Sequence, residues 1–337
     1  MKIAILSPIA WRTPPLRYGP WEQVAFNITE GLVAKGLDVT LFATGNSSTN
    51  AKLQFISPTA YAEDDSIAPK VWECLHISYL MEQADDFDII HNHFDYLPLS
   101  YSRLIKSPMV TTIHGFSSPK IIPIFKQYNN HNFYVSISNA DRSSDLNYIA
   151  TVYNGINPVD FTFNANPDDY LLFFGRIHPE KGTYEAIQIA KRTKRKLIIS
   201  GLVQDEDYFY SRVKPHINDD DIVFVGNSGP KQRDELLRQA FALLHPISFN
   251  EPFGLSVVES MFCGTPVIAF NRGSMPEIIL DGKSGFLVNT LDEAVAAVDK
   301  ISTINRWDCK WWATSNFSQD KMVEGYIEVY KRILSRK

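Results

Sequence analysis

Residues 170–193 have the sequence YLLFFGRIHPEKGTYEAIQIAKRT. The run Tyr170–Gly175 is apolar and has the length of a buried strand. Thr183–Thr193 places its apolar side chains at helical spacing, and a second apolar run, Lys196–Gly201, follows it. A strand, a helix and a further strand in this order predict a βαβ unit, which is the building block of a parallel sheet.

The same alternation extends from this unit toward both ends of the chain. On the amino-terminal side, we predict a helix at Trp21–Lys35 and strands at Lys2–Leu6, Asp38–Ala43, Asp88–His91, Met109–His114 and Phe133–Ile137. On the carboxyl-terminal side, we predict strands at Ile222–Val225, Ala242–His245 and Pro266–Phe270, and helices at Pro230–Ala240, Gly254–Cys263 and Leu291–Ile301. The elements predict two α/β domains with a cleft between them.

Asn157–Asp169 separates the two sets of elements. It contains two prolines, several asparagines and no clear periodicity, which is typical of an interdomain linker. Beyond the second set, Trp307–Lys337 is helical in pattern, and Met322, Tyr326 and Tyr330 belong to one apolar stripe. Such a stripe favours packing of this segment against a domain.

The bulk composition narrows the class of protein. The chain has 337 residues, of which 45% are hydrophobic, and its net charge of −5 argues against a nucleic-acid binder, which is usually basic. Cys74, Cys263 and Cys309 are far apart and lack zinc-site spacing, which favours a reducing compartment. We see neither a secretion signal nor the roughly 20 apolar residues of a membrane span. We therefore expect a cytoplasmic protein, with docking on the inner face of the membrane left open.

A first candidate site follows the strand Tyr170–Gly175. Gly175-Arg-Ile-His-Pro-Glu-Lys-Gly182 joins this strand to the next helix, so Arg176 and Lys181 are expected at the carboxyl edge of the sheet, where ligands bind in open α/β folds. Two cations beside glycines suit a diphosphate. The alternative, two solvated charges beside a turn, stays open on charge placement alone.

A second candidate site runs from the strand Ala242–His245 into the next helix, through Glu251-Pro-Phe-Gly-Leu-Ser-Val-Val-Glu259. Pro252 disfavours helical geometry at Glu251, so the helix begins near Phe253 or Gly254, and its first N–H groups form an anion site. Glu251 lies at the mouth of that site, and Glu259 is about two turns along the helix. A carboxylate at each place could accept hydrogen bonds from sugar hydroxyls.

These two motifs together resemble the donor site of the family 4 retaining glycosyltransferases, which have the GT-B fold. Glu251 and Glu259 match the family's E-x7-E motif. The resemblance continues through motifs that begin at Gly264, Gly273 and Gly282, through Tyr18-Gly-Pro-Trp-Glu22, which resembles the glycine-rich loop, and through Thr112-Ile-His-Gly115, which resembles the segment of the active-site histidine. One departure is Pro20, where the family usually has a second glycine.

The resemblance implies a GT-B architecture of two Rossmann-like, doubly wound α/β domains facing a central cleft. Residues 1–157 would form the acceptor-side domain, residues 170–310 the donor-side domain, and residues 311–337 helices that cross back to the first. The donor site would comprise Gly19, Arg176, Lys181, Glu251, Phe253, Gly254, Leu255 and Glu259. The catalytic residues would be His114, Arg176, Lys181 and Glu251.

In that arrangement, Arg176 and Lys181 would bind the donor diphosphate, Glu251 the sugar and Glu259 the ribose. The implied activity is transfer of a hexose from a UDP- or GDP-sugar to a glycan, glycolipid or small-molecule acceptor, with retention of configuration by a same-face displacement. We expect no cofactor and no metal, because the cations and the helix N-terminus supply the compensating charge. Asp219–Asp221 contains an Asp-x-Asp pattern, but we interpret it as a turn.

The loop that follows the first strand is a candidate for acceptor binding. Trp11, Arg12, Arg17 and Tyr18 combine aromatic rings with cations, although a purely structural loop is equally compatible with them. His93 is added to this set, because His91 and His93 share one face at a strand end. Two histidines without a third ligand favour a cleft-lining or core role over a metal site.

Two α/β domains also occur in proteins with three other functions. A nicotinamide-dependent dehydrogenase is excluded, because Ser7–Pro20 contains one glycine and lacks G-x-G-x-x-G. A non-catalytic two-domain sugar-binding protein remains the main alternative, and a turnover assay would separate it. A phosphorylase or synthase of storage sugars would differ in its acceptor. The sequence leaves the nucleotide base open, because we expect mostly backbone contacts to it, near Gly201 and Val225–Ser228.

Overall fold

The computed structural model describes residues 1–116 and 118–336. The chain divides into two compact units, the first comprising Met1–Gly155 and Gln319–Lys337 and the second Ile156–Ser318. The chain therefore passes between the units twice, at residues 155–156 and at residues 318–319. Ile156 and Ser318 form a bridge next to these two points, and the Ile156 N–H donates to the Phe317 carbonyl at 2.9 Å.

Within the described residues, seven parallel strands form the sheet of the first unit, in the order β3-β2-β1-β4-β5-β6-β7. Their bounds are β1 Lys2–Leu6, β2 Asp38–Phe42, β3 Lys52–Gln54, β4 Ile89–Asn92, β5 Met109–Ile113, β6 Asn132–Ser136 and β7 Tyr148–Thr151. Successive strands extend in both directions from β1, which is the doubly wound Rossmann order. The place where the order reverses, between β1 and β4, is where such sheets bind ligands.

The helices of the first unit pack against its sheet and against one another. Their bounds are α1 Pro20–Ala34, α2 Pro69–Met81 and α3 Ile122–Gln127. The carboxyl-terminal helix of the chain, Gln319–Leu334, also belongs to this unit and packs on α1. Gly31 permits this approach, because a Cβ at that position would lie 2.4 Å from the Val323 side chain.

The sheet of the second unit has six strands in the part of the chain that is described, in the order β10-β9-β8-β11-β12-β13. Their bounds are β8 Tyr170–Phe174, β9 Lys196–Ser200, β10 Ile222–Phe224, β11 Ala242–His245, β12 Val267–Phe270 and β13 Gly285–Val288. All neighbours are parallel, and the reversal lies between β8 and β11. This sheet therefore repeats the Rossmann order of the first.

Helices connect the strands of the second unit. Their bounds are α4 Thr183–Thr193, α5 Glu206–Tyr208, α6 Pro230–Gln239, α7 Leu255–Phe262, α8 Met275–Ile278, α9 Leu291–Lys300 and α10 Arg306–Phe317, so the carboxyl-terminal helix Gln319–Leu334 is α11. The connection β8–α4–β9 is the βαβ unit predicted from residues 170–201.

The elements that sequence analysis did not identify are short or lack a clear amphipathic pattern. β3 has three residues and β7 has four half-buried ones. α2 exposes Val71 and Leu75 while it buries His76, so its sequence has no clean apolar stripe. The single helical pattern of Trp307–Lys337 is two helices, because Ser318 adopts extended backbone and ends α10. Of the predicted segment 311–337, residues 311–318 accordingly belong to the second unit.

Candidate active site

The carboxyl ends of β8 and β11 bring two loops of the second unit together. The Ser248 N–H donates to the Glu180 carbonyl at 2.9 Å. Gly182, which has a left-handed φ of 75°, lies against the loop after β11, because a Cβ on it would be 2.0 Å from the Pro246 oxygen. The loop that carries Lys181 is thereby fixed to the loop that carries Glu251.

Glu251 and Lys181 form a largely buried ion pair at this edge of the sheet. Lys181 Nζ is 2.5 Å from Glu251 Oε2, and the two side chains are 14% and 10% exposed. His245, the last residue of β11, places Nε2 at 3.4 Å from the same oxygen. The Lys181 ammonium also lies 4.7 Å from the centre of the Phe249 ring. Sequence analysis named neither His245 nor Phe249 as a partner of Glu251, because no motif indicates which side chains converge here.

The charge state of Glu251 follows from these neighbours. Burial alone would raise the pKa of the Glu251 carboxyl, but the Lys181 charge, together with hydrogen bonding and charge from His245, outweighs burial and lowers the pKa to about 2. Burial also lowers the pKa of His245, although Glu251 opposes that change. At neutral pH the site therefore holds a carboxylate, which accepts hydrogen bonds only.

The backbone around Glu251 is held by the segment after β12. The Ser274 N–H donates to the Glu251 carbonyl at 2.9 Å, and the Ser274 hydroxyl donates to the Phe253 carbonyl at 3.0 Å. A Cβ on Gly273 would lie 2.4 Å from both the backbone nitrogen and the oxygen of Glu251. Gly254 has a left-handed φ of 89°, and α7 begins at the next residue, Leu255. The motif at Gly273 thus aligns the start of α7.

Glu259 lies on α7 and is 5% exposed. Arg233 of α6 places NH1 at 3.2 Å from Glu259 Oε1, and the Arg233 guanidinium lies 5.3 Å from the centre of the Phe161 ring. Burial raises the pKa of the Glu259 carboxyl, Arg233 opposes that rise, and Asp160 adds to it. Arg233, like His245 and Phe249, was not identified from the sequence, because α6 carries no motif that indicates a contact with Glu259.

Arg176 follows β8 on a loop that runs beside the loop after β9. The Arg176 guanidinium donates to Gln204, the Ile177 N–H donates to the Leu202 carbonyl at 2.8 Å, and a Cβ on Gly201 would collide with the Gly175 oxygen. Arg176 is thus positioned by the close contact of the two loops. Together with Lys181, it gives the carboxyl edge of this sheet two cations.

In the first unit, the loop after β1 is fixed by a hydrogen bond to α1 and by close packing within the loop. Glu22 in the first turn of α1 accepts the Trp11 N–H at 3.1 Å, and a Cβ on Gly19 would lie 2.7 Å from the Pro15 side chain. Burial raises the pKa of the Glu22 carboxyl to about 7, despite hydrogen bonds from its own N–H and that of Trp11. Pro20 is the first residue of α1, where an N–H has no partner inside the helix, so its missing N–H costs the helix no hydrogen bond.

Four residues of the candidate acceptor loop differ in how they are held. Trp11 and Tyr18 form an edge-to-face pair with ring centres 6.2 Å apart, and Arg17 is exposed. Arg12 is engaged in a salt bridge with Glu63, with NH2 2.6 Å from Oε2.

His114 follows β5 and is 9% exposed. Its ring stacks on Trp21 at 5.5 Å between centres, and its Nε2 lies 3.0 Å from His93 Nδ1. His93 and His91 are fully buried. Because His93 has no exposed surface, its side chain contacts His114 and not the solvent, where an acceptor would approach.

Two sequence profiles match the chain over adjacent segments. The profile described as Glycosyltransferase Family 4 matches residues 21–159, and the profile described as Glycosyl transferases group 1 matches residues 160–308. The chain belongs to the family 4 glycosyltransferases. The predicted family is therefore confirmed, and the two sheets with Rossmann order agree with its two-domain GT-B fold.

Individual relatives of this glycosyltransferase agree with that assignment. An uncharacterized glycosyltransferase of Methanocaldococcus jannaschii is 23% identical, and the match covers 98% of each chain. Among solved structures, sucrose-phosphate synthase from Thermosynechococcus elongatus is 17% identical, with a TM-score of 0.80 over 100% of both chains. Anabaena HepE, solved in complex with UDP-glucose, is also 17% identical, with a TM-score of 0.73 over 98% of this chain and 100% of that one.

The residues expected at the donor site of the glycosyltransferase fall into two groups in the structure. Gly19 and His114 belong to the first unit, and the others belong to the second: Arg176, Lys181, Glu251, Phe253, Gly254, Leu255 and Glu259. Within the second unit, Lys181 contacts Glu251, whereas Arg176 contacts Gln204 and Glu259 contacts Arg233. Asp219–Asp221 lies in a turn in which Asn218 Oδ1 accepts N–H groups of Asp220 and Asp221. Over residues 1–116 and 118–336, no three His, Cys, Asp or Glu side chains cluster as a metal site would require. None of the helices in those ranges is both long and apolar enough to span a membrane.

Proposed function

We propose that this glycosyltransferase transfers a hexose from a UDP- or GDP-sugar to a hydroxyl group of a glycan, a glycolipid or a small metabolite, with retention of configuration. The observation that carries the proposal is the Lys181–Glu251 pair at the carboxyl edge of the second sheet, with 2.5 Å between Nζ and Oε2. It places a cation beside an acceptor-only carboxylate. A nucleoside diphosphate sugar presents the matching groups, an anionic phosphate next to sugar hydroxyls.

The remaining donor contacts follow along α7. Glu259 is the fifth residue of α7, just over one turn after Leu255, and is assigned to the ribose hydroxyls. Its pairing with Arg233 holds the carboxylate in place before the nucleotide arrives. Anabaena HepE, with its bound UDP-glucose, supports a donor of this chemical class.

The proposed reaction needs stabilisation of a leaving phosphate. The bond between the anomeric carbon and the phosphate oxygen breaks as the acceptor oxygen attacks the same face of the sugar, and the acceptor proton passes to that phosphate oxygen. Arg176, Lys181 and the start of α7 oppose the negative charge that develops there. Glu251 is committed to Lys181 and to sugar hydroxyls, so it is not assigned as a covalent nucleophile. The protein's own cations take the place of a metal ion in this scheme.

On the acceptor side, we assign Trp11, Arg17 and Tyr18 to recognition of the acceptor. Rings of this kind stack on the faces of sugars, and Arg17 has an exposed cation for a polar or acidic group. Arg12 serves the loop instead, because its guanidinium is bound to Glu63. The proposed location is the cytoplasm, with contact at the inner membrane face where the acceptor is a lipid; the cysteines are free thiols, as in a reducing compartment.

A donor screen tests the proposal. The protein is incubated with UDP-, GDP-, ADP- and dTDP-hexoses and a panel of glycan, glycolipid and small-metabolite acceptors, with and without EDTA, and release of the nucleoside diphosphate is measured. We expect release of the nucleoside diphosphate from one donor class, and EDTA should not affect it. The anomeric configuration of the product, determined by NMR, should be that of the donor. Lys181→Ala should lower kcat/KM by roughly 30- to 1,000-fold, because one contact to the leaving group contributes about 2–4 kcal/mol. Binding without release from any donor would instead indicate a sugar-nucleotide binding protein.

A further inference from the structure

Three histidines of the first unit form a cluster at the carboxyl ends of β4 and β5. The histidine cluster comprises His91 in β4, His93 just after it, and His114 just after β5. The rings of His91 and His93 are 4.1 Å apart, and those of His93 and His114 are 5.2 Å apart. Only His114 retains exposed surface. The role assigned to His114 therefore depends on how the two buried rings hold it.

Each ring of the histidine cluster is neutral at physiological pH. Burial lowers the pKa of His91 and of His114 to about 3, and it lowers the pKa of His93 well below its ordinary value, with the neighbouring imidazoles adding to the effect on His91 and His93. A neutral imidazole has one N–H donor and one acceptor nitrogen. The orientation of the cluster is thus a question of which nitrogen of each ring carries the proton, and the hydrogen-bond network answers it.

Hydroxyl groups of α11 and β5 contact both ring nitrogens of His91. Its Nδ1 lies 2.6 Å from the Tyr330 hydroxyl and its Nε2 lies 2.7 Å from the Thr112 hydroxyl, which in turn is 2.6 Å from the Tyr326 hydroxyl. Both nitrogens of His91 are satisfied by hydroxyls, which can donate or accept. His91 therefore packs as a fixed ring against His93.

His93 has one partnered nitrogen and one without a partner. Its Nδ1 lies 3.0 Å from His114 Nε2, whereas its Nε2 is buried and has no hydrogen-bond partner among the described residues. A proton on Nε2 would leave a buried N–H without an acceptor. With the proton on Nδ1, Nε2 keeps only a lone pair without a partner. A buried acceptor without a partner is tolerated more often than a buried N–H without one.

We infer that His93 is a positioning residue, whose Nδ1–H donates to His114 Nε2 and fixes His114 in the tautomer that carries its proton on Nδ1. This inference rests on the proposed function for its consequence: His114 then offers a hydrogen-bond donor, its Nδ1–H, and not a base. His93 orients that donor without contacting the substrate.

The test uses the histidine nitrogens directly. In protein labelled with 15N-histidine, the resonances of His114 are assigned by their loss from His114→Asn. We expect the wild-type His114 spectrum to show a protonated Nδ1 and an unprotonated Nε2. The opposite pattern would overturn the inference, whether or not the protein transfers sugar, so that this result is independent of the donor screen.

Two substitutions separate positioning from packing. His93→Asn keeps a donor near the place of Nδ1, whereas His93→Phe keeps the ring and removes the donor. We expect His93→Phe to lose the fixed tautomer of His114 and to lower kcat about tenfold with little change in the donor KM, the loss of one hydrogen bond. We expect His93→Asn to stay within about threefold of wild type.

His76→Phe is a matched control, because His76 is a buried histidine of the same unit, bound at 3.0 Å to the Ser7 carbonyl and outside the cluster. It should lose stability without changing the His114 tautomer. Equal kcat in His93→Phe and His93→Asn would overturn the inference. If His93→Phe does not fold, the spectra of the wild type and of His93→Asn decide the matter.

Discussion

Removal of the Lys181 charge by Lys181→Met should expose the cost of burying Glu251. The pKa of Glu251 falls from 4.5 to about 2 in the folded protein, which corresponds to about 3 kcal/mol of stability at about 1.4 kcal/mol per pKa unit. Glu251 is almost fully buried, so solvent screens this interaction little. In Lys181→Met the carboxylate remains buried without its main partner, and we expect destabilisation of about 3 kcal/mol at pH 7.

The destabilisation caused by Lys181→Met should depend on pH. Because the folded pKa of Glu251 is depressed, its contribution in the wild type is complete above about pH 4.5 and is lost as the pH falls toward 2. In Lys181→Met, burial is no longer opposed by that charge, so Glu251 takes up a proton more readily in acid. The difference in stability between wild type and Lys181→Met should therefore shrink between pH 7 and pH 4.

Urea denaturation followed by tryptophan fluorescence measures this difference; Trp307, Trp311 and Trp312 report on the second unit once Trp11, Trp21 and Trp72 of the first unit are replaced by Phe. Lys181→Met/Glu251→Gln should recover much of the loss, because no buried charge remains unpaired. Lys106→Met, which breaks an exposed ion pair with Asp85, is the control and should cost less than about 1 kcal/mol. A Lys181→Met penalty that is equal at pH 7 and pH 4, or is no larger than that of Lys106→Met, would refute the reasoning.

Two further predictions concern the loops that shape the site. Gly182→Ala should destabilise the second unit by more than about 2 kcal/mol, because the new Cβ would meet the Pro246 carbonyl, whereas Gly36→Ala, with a similar φ of 78° and open space, should cost only about 1 kcal/mol; equal losses in thermal unfolding would contradict this. The stability of the first unit should fall between pH 4.5 and pH 7, since the raised folded pKa of Glu22 stabilises the protein only while that carboxyl is protonated. Glu22→Gln should remove this pH dependence, and an unchanged profile would contradict the assignment.

The sequence was sufficient for most of the framework. Alternating apolar runs placed β1 at Lys2–Leu6, α4 at Thr183–Thr193 and β11 at Ala242–His245 with the bounds that the structure has. Each of these elements buries one face or both faces. The spacing of its apolar residues therefore indicates both its type and its bounds. α2 escaped detection, because several of its apolar side chains are exposed.

The sequence did not show which side chains pair with one another at the site. Motif spacing located Lys181, Glu251 and Glu259 on loops and a helix start, but it could not show that Lys181 pairs with Glu251 or that Arg233 pairs with Glu259. Such pairs join residues far apart in the chain. They depend on strand order and loop packing, which no local pattern encodes. The same reason applies to His93, whose burial beside His114 depends on the adjacency of β4 and β5.

The proposed donor site requires that Glu251 binds the sugar and Glu259 the ribose, and calorimetry tests this assignment directly. A nucleoside diphosphate and the intact sugar nucleotide are titrated into the wild type, Glu251→Ala and Glu259→Ala. We predict that Glu259→Ala weakens both ligands by about ten- to a hundredfold, because each lost carboxylate–hydroxyl contact contributes roughly 1.5–3 kcal/mol. We predict that Glu251→Ala weakens the sugar nucleotide and does not weaken the nucleoside diphosphate, because loss of the carboxylate leaves Lys181 free to contact the phosphates. Equal weakening of the two ligands by Glu251→Ala would contradict the placement of the sugar and, with it, the proposed donor site.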